Sequence, residues 1–143
     1  MKRSLLFVAA LSLSAGPALS TEVTHLSADA VSRAFAEGAP LVELENYKIH
    51  ASRREAPGKA EIHVRDTDVI YVLDGEATFV TGGTAVDTEE VAPEEIRGRS
   101  IADGETRTLR KGDVIVVPNG TPHWFESVKA PFLYYVVKVQ APR

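Results

Sequence analysis

The stretch Gly112-Asp113-Val114-Ile115-Val116-Val117-Pro118-Asn119-Gly120-Thr121-Pro122-His123-Trp124-Phe125 decides how this chain is read. Gly112-Asp113 is a turn feeding a fully apolar run, Val114 to Val117. Such a run, bounded by turn residues, reads as a strand. Pro118-Asn119-Gly120 then turns the chain back. Side chains alternate along a strand, so His123 shares a face with Thr121 and Phe125.

A second stretch sits upstream. It runs from Gly58 through Glu61, Ile62, His63, Val64, Arg65 and Asp68 to Gly75. Alternation points Glu61, His63 and Arg65 one way and Ile62 and Val64 the other. A second strand begins at Asp68 after a short turn, which brings its carboxylate toward His63. His63 and His123 are far apart in sequence, and a curled β-sheet is the arrangement that unites them.

Working outward, the chain after Pro40 is a series of short strands separated by Gly, Pro, Asn and Asp. Asp74-Gly75, between two apolar runs, predicts a hairpin turn. Regular spacing with no interleaved helix predicts antiparallel β structure, a barrel or jelly roll. Thr84 to Ile101 has no clear period and carries Asp87, Glu89, Glu90, Glu94 and Glu95. It is expected to be a solvated excursion, with a lid as the alternative. Before Pro40, Ser27 is a helix N-cap, and Ala30, Val31, Ala34 and Phe35 follow at helical spacing. Gly38 and Pro40 stop that helix, which should cover Ala28 to Glu37.

At the N-terminus, Lys2 and Arg3 precede an apolar run too short to span a bilayer, and Ala18 and Ser20 place small residues before a cut after Ser20. Residues 1–20 are expected to be a signal peptide, 21–40 a helical segment and 41–143 the β domain. The mature chain would have 123 residues, 14 basic and 20 acidic, against a formal charge of −4 for all 143. It would be periplasmic or secreted, with no membrane span once the signal is removed. Its acidic balance argues against a nucleic-acid partner, which would need clustered Lys and Arg. The chain has no cysteine, so disulfides, thiolate metal ligands and a Cys nucleophile are excluded. There is no nucleophile elbow, P-loop or dinucleotide fingerprint.

The two stretches together resemble the cupin superfamily, and specifically a small single-domain (type 2) cupin. Gly112, five residues, Pro118, one residue, Gly120, two residues, His123 is the spacing of the second cupin motif. Ser127 stands where the family usually has Asn. The first motif, usually His-x-His, three or four residues, Glu, six residues, Gly, is here Glu61-x-His63-x4-Asp68-x6-Gly75. The resemblance implies a double-stranded β-helix (a jelly-roll barrel) and one divalent metal ion. Its ligands would come from Glu61, His63, Asp68 and His123, where the family typically has three His and one Glu. Two imidazoles with carboxylates suit Mn²⁺, Fe²⁺, Zn²⁺, Ni²⁺ or Co²⁺.

The family also implies a small-molecule substrate, chemistry of the oxygenase, lyase or isomerase kind, and a homodimer. The alternative is a non-catalytic ligand-binding cupin with a degenerate or absent metal site. Asp68, one methylene shorter than Glu, is either a ligand or a general base. His50 shares a polar strand face with Lys48 and Ser52 and is the other catalytic candidate. Arg97, Arg99, Arg107 and Arg110 are expected along a solvated sheet edge, with contact to an anionic substrate by one of them as the alternative. Phe132 to Val137 is apolar on both faces, as a strand covered on both sides would be, which suggests a subunit interface.

Overall fold

The computed structural model describes residues 22–142. The signal-peptide reading of 1–20 therefore lies outside the described residues. The helix α1 occupies Ala28–Glu37. The Ser27 hydroxyl accepts the Ala30 N–H at 3.2 Å, and Gly38 closes the helix in the left-handed conformation at φ 69°. Its apolar stripe packs on the sheet, with Phe35 edge-on to Tyr135 at 4.8 Å between ring centroids.

The rest is β structure. The strands are β1 (Pro40–Glu43), β2 (Tyr47–Arg54), β3 (Ala60–His63), β4 (Asp66–Thr81), β5 (Thr84–Val86), β6 (Glu89–Ala92), β7 (Glu95–Gly98), β8 (Ser100–Ala102), β9 (Glu105–Arg110), β10 (Val114–Val117) and β11 (His123–Gln140). The spine is the long antiparallel pair β4–β11, in register from His123 opposite Thr81 to Gln140 opposite Asp66. Flanking strands divide between its two halves. β10 pairs with Asp68–Tyr71 and β9 with Glu76–Thr81. On the other edge, β2 pairs with Phe132–Val139, and β3 meets β11 at His123 opposite Glu61.

The two halves pack face to face around one core. Phe79 and Phe125 lie 4.5 Å apart between centroids, and Phe125 and Tyr134 5.2 Å. Ile70, Val72, Phe79 and Phe132 are fully buried. This is the jelly-roll architecture that the strand spacing predicted.

Two expectations are corrected. Asp74-Gly75 is not a hairpin turn, because β4 runs straight through it. Gly75 takes φ 84° at the bend of the spine, where the β4–β11 register shifts between Lys129 and Leu133. A Cβ there would come within 2.6 Å of the Pro131 carbonyl, so glycine serves a close backbone approach rather than a reversal. Thr84 to Ile101 is solvated along much of its length, as expected, but it is ordered into four short strands rather than an irregular excursion. β5 pairs with β8 and β6 with β7, and β7 extends the sheet by pairing with β3.

Candidate metal centre

Backbone register builds the site. Glu61 and His63 lie two apart on β3 and so share a face. His123, first residue of β11, stands opposite Glu61. On the neighbouring strand pair, Asp68 stands opposite Lys138. Alternation along β4 buries Asp66, Asp68, Ile70 and Val72 on the inner face. Four candidate ligand atoms consequently converge. His63 Nε2 is 3.5 Å from Glu61 Oε2 and 3.4 Å from Asp68 Oδ2. His123 Nε2 is 3.7 Å and 3.9 Å from the same two oxygens. Metal–ligand bonds of about 2.0–2.1 Å in tetrahedral geometry separate ligand atoms by roughly 3.4 Å, so a small contraction would close this set on an ion.

The far nitrogens support the same use. His63 Nδ1 lies 2.7 Å from Glu95 Oε2, and His123 Nδ1 lies 3.0 Å from the Thr121 carbonyl. Acceptors at both Nδ1 positions keep their protons there and turn both Nε2 lone pairs inward, as outer partners of metal-bound histidines do. Among the described residues, His123 Nε2 is buried with no hydrogen-bond partner. A buried, unsatisfied nitrogen aimed into a cluster of carboxylates is costly unless something binds it. Glu61, His63 and His123 by themselves form a group of metal-competent donors, and the residues present fit a divalent ion.

The electrostatics are asymmetric. Burial would raise the Glu61 carboxyl, but the His123 and His63 imidazoles close to it and the Arg97 charge hold it well below the usual carboxylate range. Its outer oxygen, Oε1, faces Arg54 at 3.7 Å and Arg97 at 3.8 Å. Burial would likewise raise Asp68, but His63 and Lys138 hold it down. Burial would lower His63, but Asp68 and Glu61 push it up to about 9.

Lys138 is the residue that the motifs do not contain. Its Nζ lies 2.8 Å from both Asp68 oxygens and 2.8 Å from His63 Nε2. The single lone pair on His63 Nε2 therefore has three claimants: a proton, the Lys138 ammonium and a metal ion. The other side chain that surrounds the cluster unannounced is Arg97. It is not on a solvated edge but sits beside Glu61 and donates to Glu95 at 3.1 Å, because β7 pairs with β3 in the register Glu61–Arg97. Arg65, expected to share the Glu61 face, lies beyond the end of β3 and is directed at Glu94 and the Ala141 carbonyl instead.

The cluster opens into a pocket of about 140 Å³, walled by His50, Ser52, Arg54, Tyr134 and Val136. His50 is on that wall, with its Nε2 3.2 Å from Glu43 Oε1. A cleft of about 180 Å³ between Thr81, Arg107 and Ile115 lies apart from these titratable groups.

The Cupin family model matches residues 53–143. The chain belongs to the cupin family. Solved structures agree on the fold. A protein of Bacillus halodurans superposes with a TM-score of 0.61 at 13% identity, covering 90% of this chain and 89% of its own. A cupin protein of Bacteroides fragilis gives 0.52 at 13%, covering 86% and 87%. A double-stranded β-helix protein of Klebsiella pneumoniae gives 0.51 at 16%, covering 72% and 75%. No curated protein matches. In this cupin, then, the first-motif positions Glu61, His63 and Asp68 and the second-motif His123 meet in one place. Three further groups at that place, Glu95, Arg97 and Lys138, do not stand out as site residues in the sequence. Lys138 does carry a faint signal. It is the one charge in the run Phe132 to Val139, in phase with Phe132, Tyr134 and Val136, and so points inward.

Proposed function

We propose that this cupin binds one divalent metal ion through Glu61, His63 and His123, with Asp68 beside them, and acts on a small molecule in the adjoining pocket. The observation that carries the reading is the buried, partnerless Nε2 of His123 facing Glu61 and Asp68 while its Nδ1 is anchored. Mn²⁺, Fe²⁺, Zn²⁺, Ni²⁺ and Co²⁺ suit the donor set. When bound, the ion would polarise a substrate oxygen or activate dioxygen, which is the basis of oxygenase, lyase or isomerase chemistry.

The chain's own groups do the rest. Arg54 and Arg97 hold the outer Glu61 oxygen, leaving Oε2 for the ion. The ring of Phe125 lies 4.4 Å beneath the Arg54 guanidinium, and Tyr134 accepts from Arg54 Nε at 3.1 Å, so that arm is fixed. Ile70, Phe125 and Val136 form the apolar part of the pocket lining. His50 and Asp68 are the candidates for moving a proton. His50 would act from the pocket wall, released from Glu43. Asp68 is kept anionic by Lys138 and His63, so its service as a base requires that pairing to loosen.

A second reading is supported by Lys138. Its ammonium already occupies one side of the cluster, as a fixed cation would in a metal-free cupin that only binds a ligand. Elemental analysis of protein purified without chelator separates the two. About one equivalent of metal in the wild type, absent in His63→Ala and His123→Ala, supports the first reading. A metal-free wild type that still binds a small ligand supports the second.

Export completes the proposal. Cleavage after Ser20 and release to the periplasm or medium follow from the pattern of residues 1–20, and the intact mass of the secreted chain, starting at Thr21, tests it. Homodimer formation through the outer sheet face, where Tyr71, Val114 and Val116 are exposed, is tested by sedimentation.

A further inference from the structure

We propose that Lys138 is the specificity residue of this pocket, and that its ammonium holds an anionic oxygen of the substrate, a carboxylate above all, once the metal is in place. The inference rests on the metal-binding reading above. An ammonium has three N–H donors and no acceptor. In the structure its contacts are Asp68 Oδ1, Asp68 Oδ2 and His63 Nε2, each at 2.8 Å. A metal on His63 would take that nitrogen from proton and lysine alike. Lys138 would keep its Asp68 partner, opposite it in register, and be left without a third acceptor. The side chain is only 14% exposed, so bulk water is a poor replacement, and a buried donor without a partner is unfavourable. An acceptor arriving through the pocket that Lys138 itself lines would restore the third bond.

Charge counting gives the sign of that acceptor. Around the cluster, the carboxylates Glu61, Asp68 and Glu95 face the cations Arg54, Arg97 and Lys138. These side chains balance each other without help. A divalent ion adds net positive charge even when it displaces a proton from His63, in a poorly solvated place where an uncompensated charge is expensive, and an anion answers it. The pocket's 140 Å³ is about five water volumes, a space that suits an acid of a few carbons. The ligand class is therefore a small carboxylic acid, one oxygen toward the ion and one toward Lys138.

The probes are Co²⁺, malonate and its uncharged analogue malonamide, titrated calorimetrically into the full mature protein. The Co²⁺-loaded wild type should bind malonate at least about 10- to 100-fold more tightly than malonamide, because the amide weakens the contact with the ion as well as the charged hydrogen bond with Lys138. Lys138→Met should weaken malonate binding by about 10- to 100-fold, the value of one charged hydrogen bond, and narrow the preference to what the ion alone supplies; its affinity for Co²⁺ should equal or exceed that of the wild type, since a competitor for His63 is gone. Lys138→Arg should keep the preference for the acid. Lys138→Gln retains an N–H for Asp68 without the charge and replaces the Met variant if that one fails to fold. Malonate affinity unchanged in a folded, Co²⁺-loaded Met or Gln variant overturns the role of Lys138 and leaves the metal reading intact. A wild type that takes up no Co²⁺ overturns both.

Discussion

His63 and His123 lie at the same depth, 4% and 3% exposed, with their rings 5.0 Å apart, yet they live in different surroundings. His63 touches three carboxylates and one ammonium. Glu61 and Asp68 are on its inner nitrogen, Glu95 on its outer one, and Lys138 on the same inner lone pair. His123 has a backbone carbonyl behind it and no hydrogen-bond partner in front, with the Phe79 ring 6.1 Å away. The first histidine is held by direct contacts and the second is not. Crowded contacts make a ligand adjustable, because proton, lysine and metal compete for it. His123, with the Glu61 and Asp68 oxygens at 3.7 and 3.9 Å, just beyond hydrogen-bond reach, is left available.

The comparison is broken most severely by removing either ring. His63→Ala and His123→Ala should each lower metal affinity by more than about 100-fold, beyond the range expected for loss of an outer partner, as read by metal content and Co²⁺ titration. Both variants should keep the β-sheet circular dichroism of the wild type. Retention of full metal stoichiometry in either one removes that residue from the ligand set.

A gentler change acts on one side only. Glu95→Gln should cost about 10- to 100-fold in metal affinity, because the carboxylate that fixes the His63 tautomer is lost. His123 takes its orientation from the Thr121 carbonyl, so no side-chain substitution has the matching effect there. Equal affinity in Glu95→Gln and wild type would mean that His63 needs no outer partner.

Protons should distinguish the sides next. In the metal-free protein His63 is pushed up to about 9, so binding must displace its proton at neutral pH. Metal affinity should fall by up to about tenfold per pH unit on acidification below that value. Buffers of different ionisation enthalpy, compared by calorimetry, read the released proton.

The smallest effect is on stability. A histidine whose folded pKa lies above its unfolded value of about 6.5 stabilises the fold below that value, and the contribution is lost as pH rises through about 9. Glu61 and Asp68, both held low, stabilise above the ordinary carboxylate range, and their contribution is lost as pH falls through their lowered values. The melting temperature of the metal-free protein should therefore decline on both limbs. His63→Ala should flatten the alkaline limb and His123→Ala should leave it. An alkaline limb unchanged in His63→Ala would show that the charge on His63 does not support the fold.

Much of the site is legible in the order of residues because it depends on short-range spacing. Two residues along a strand fix a shared face, so Glu61 with His63 can be read off directly, as can the turn that delivers His123. The helix is legible for the same reason, through Ser27, a 3.6-residue period and Gly38. Pairing is not. Lys138 meets Asp68 across 70 residues of chain, and Arg97 meets Glu61 across a strand pair inside a segment that has no hydrophobic period. Gly75 misleads for a related reason. A glycine in a turn-like dipeptide looks the same in sequence whether it reverses the chain or lets two backbones approach, and only the partner strand carrying Pro131 distinguishes them.

Residue order alone specifies the β architecture, the family and the residue types that a metal ion would meet. With no cysteine and two histidines at motif positions, only nitrogen and oxygen ligands remain. The charge around those ligands is a product of tertiary packing. Alternation and spacing are local and survive in one dimension, whereas the balance of three carboxylates against three cations arises from strand register, which is set by how the whole sheet packs its core.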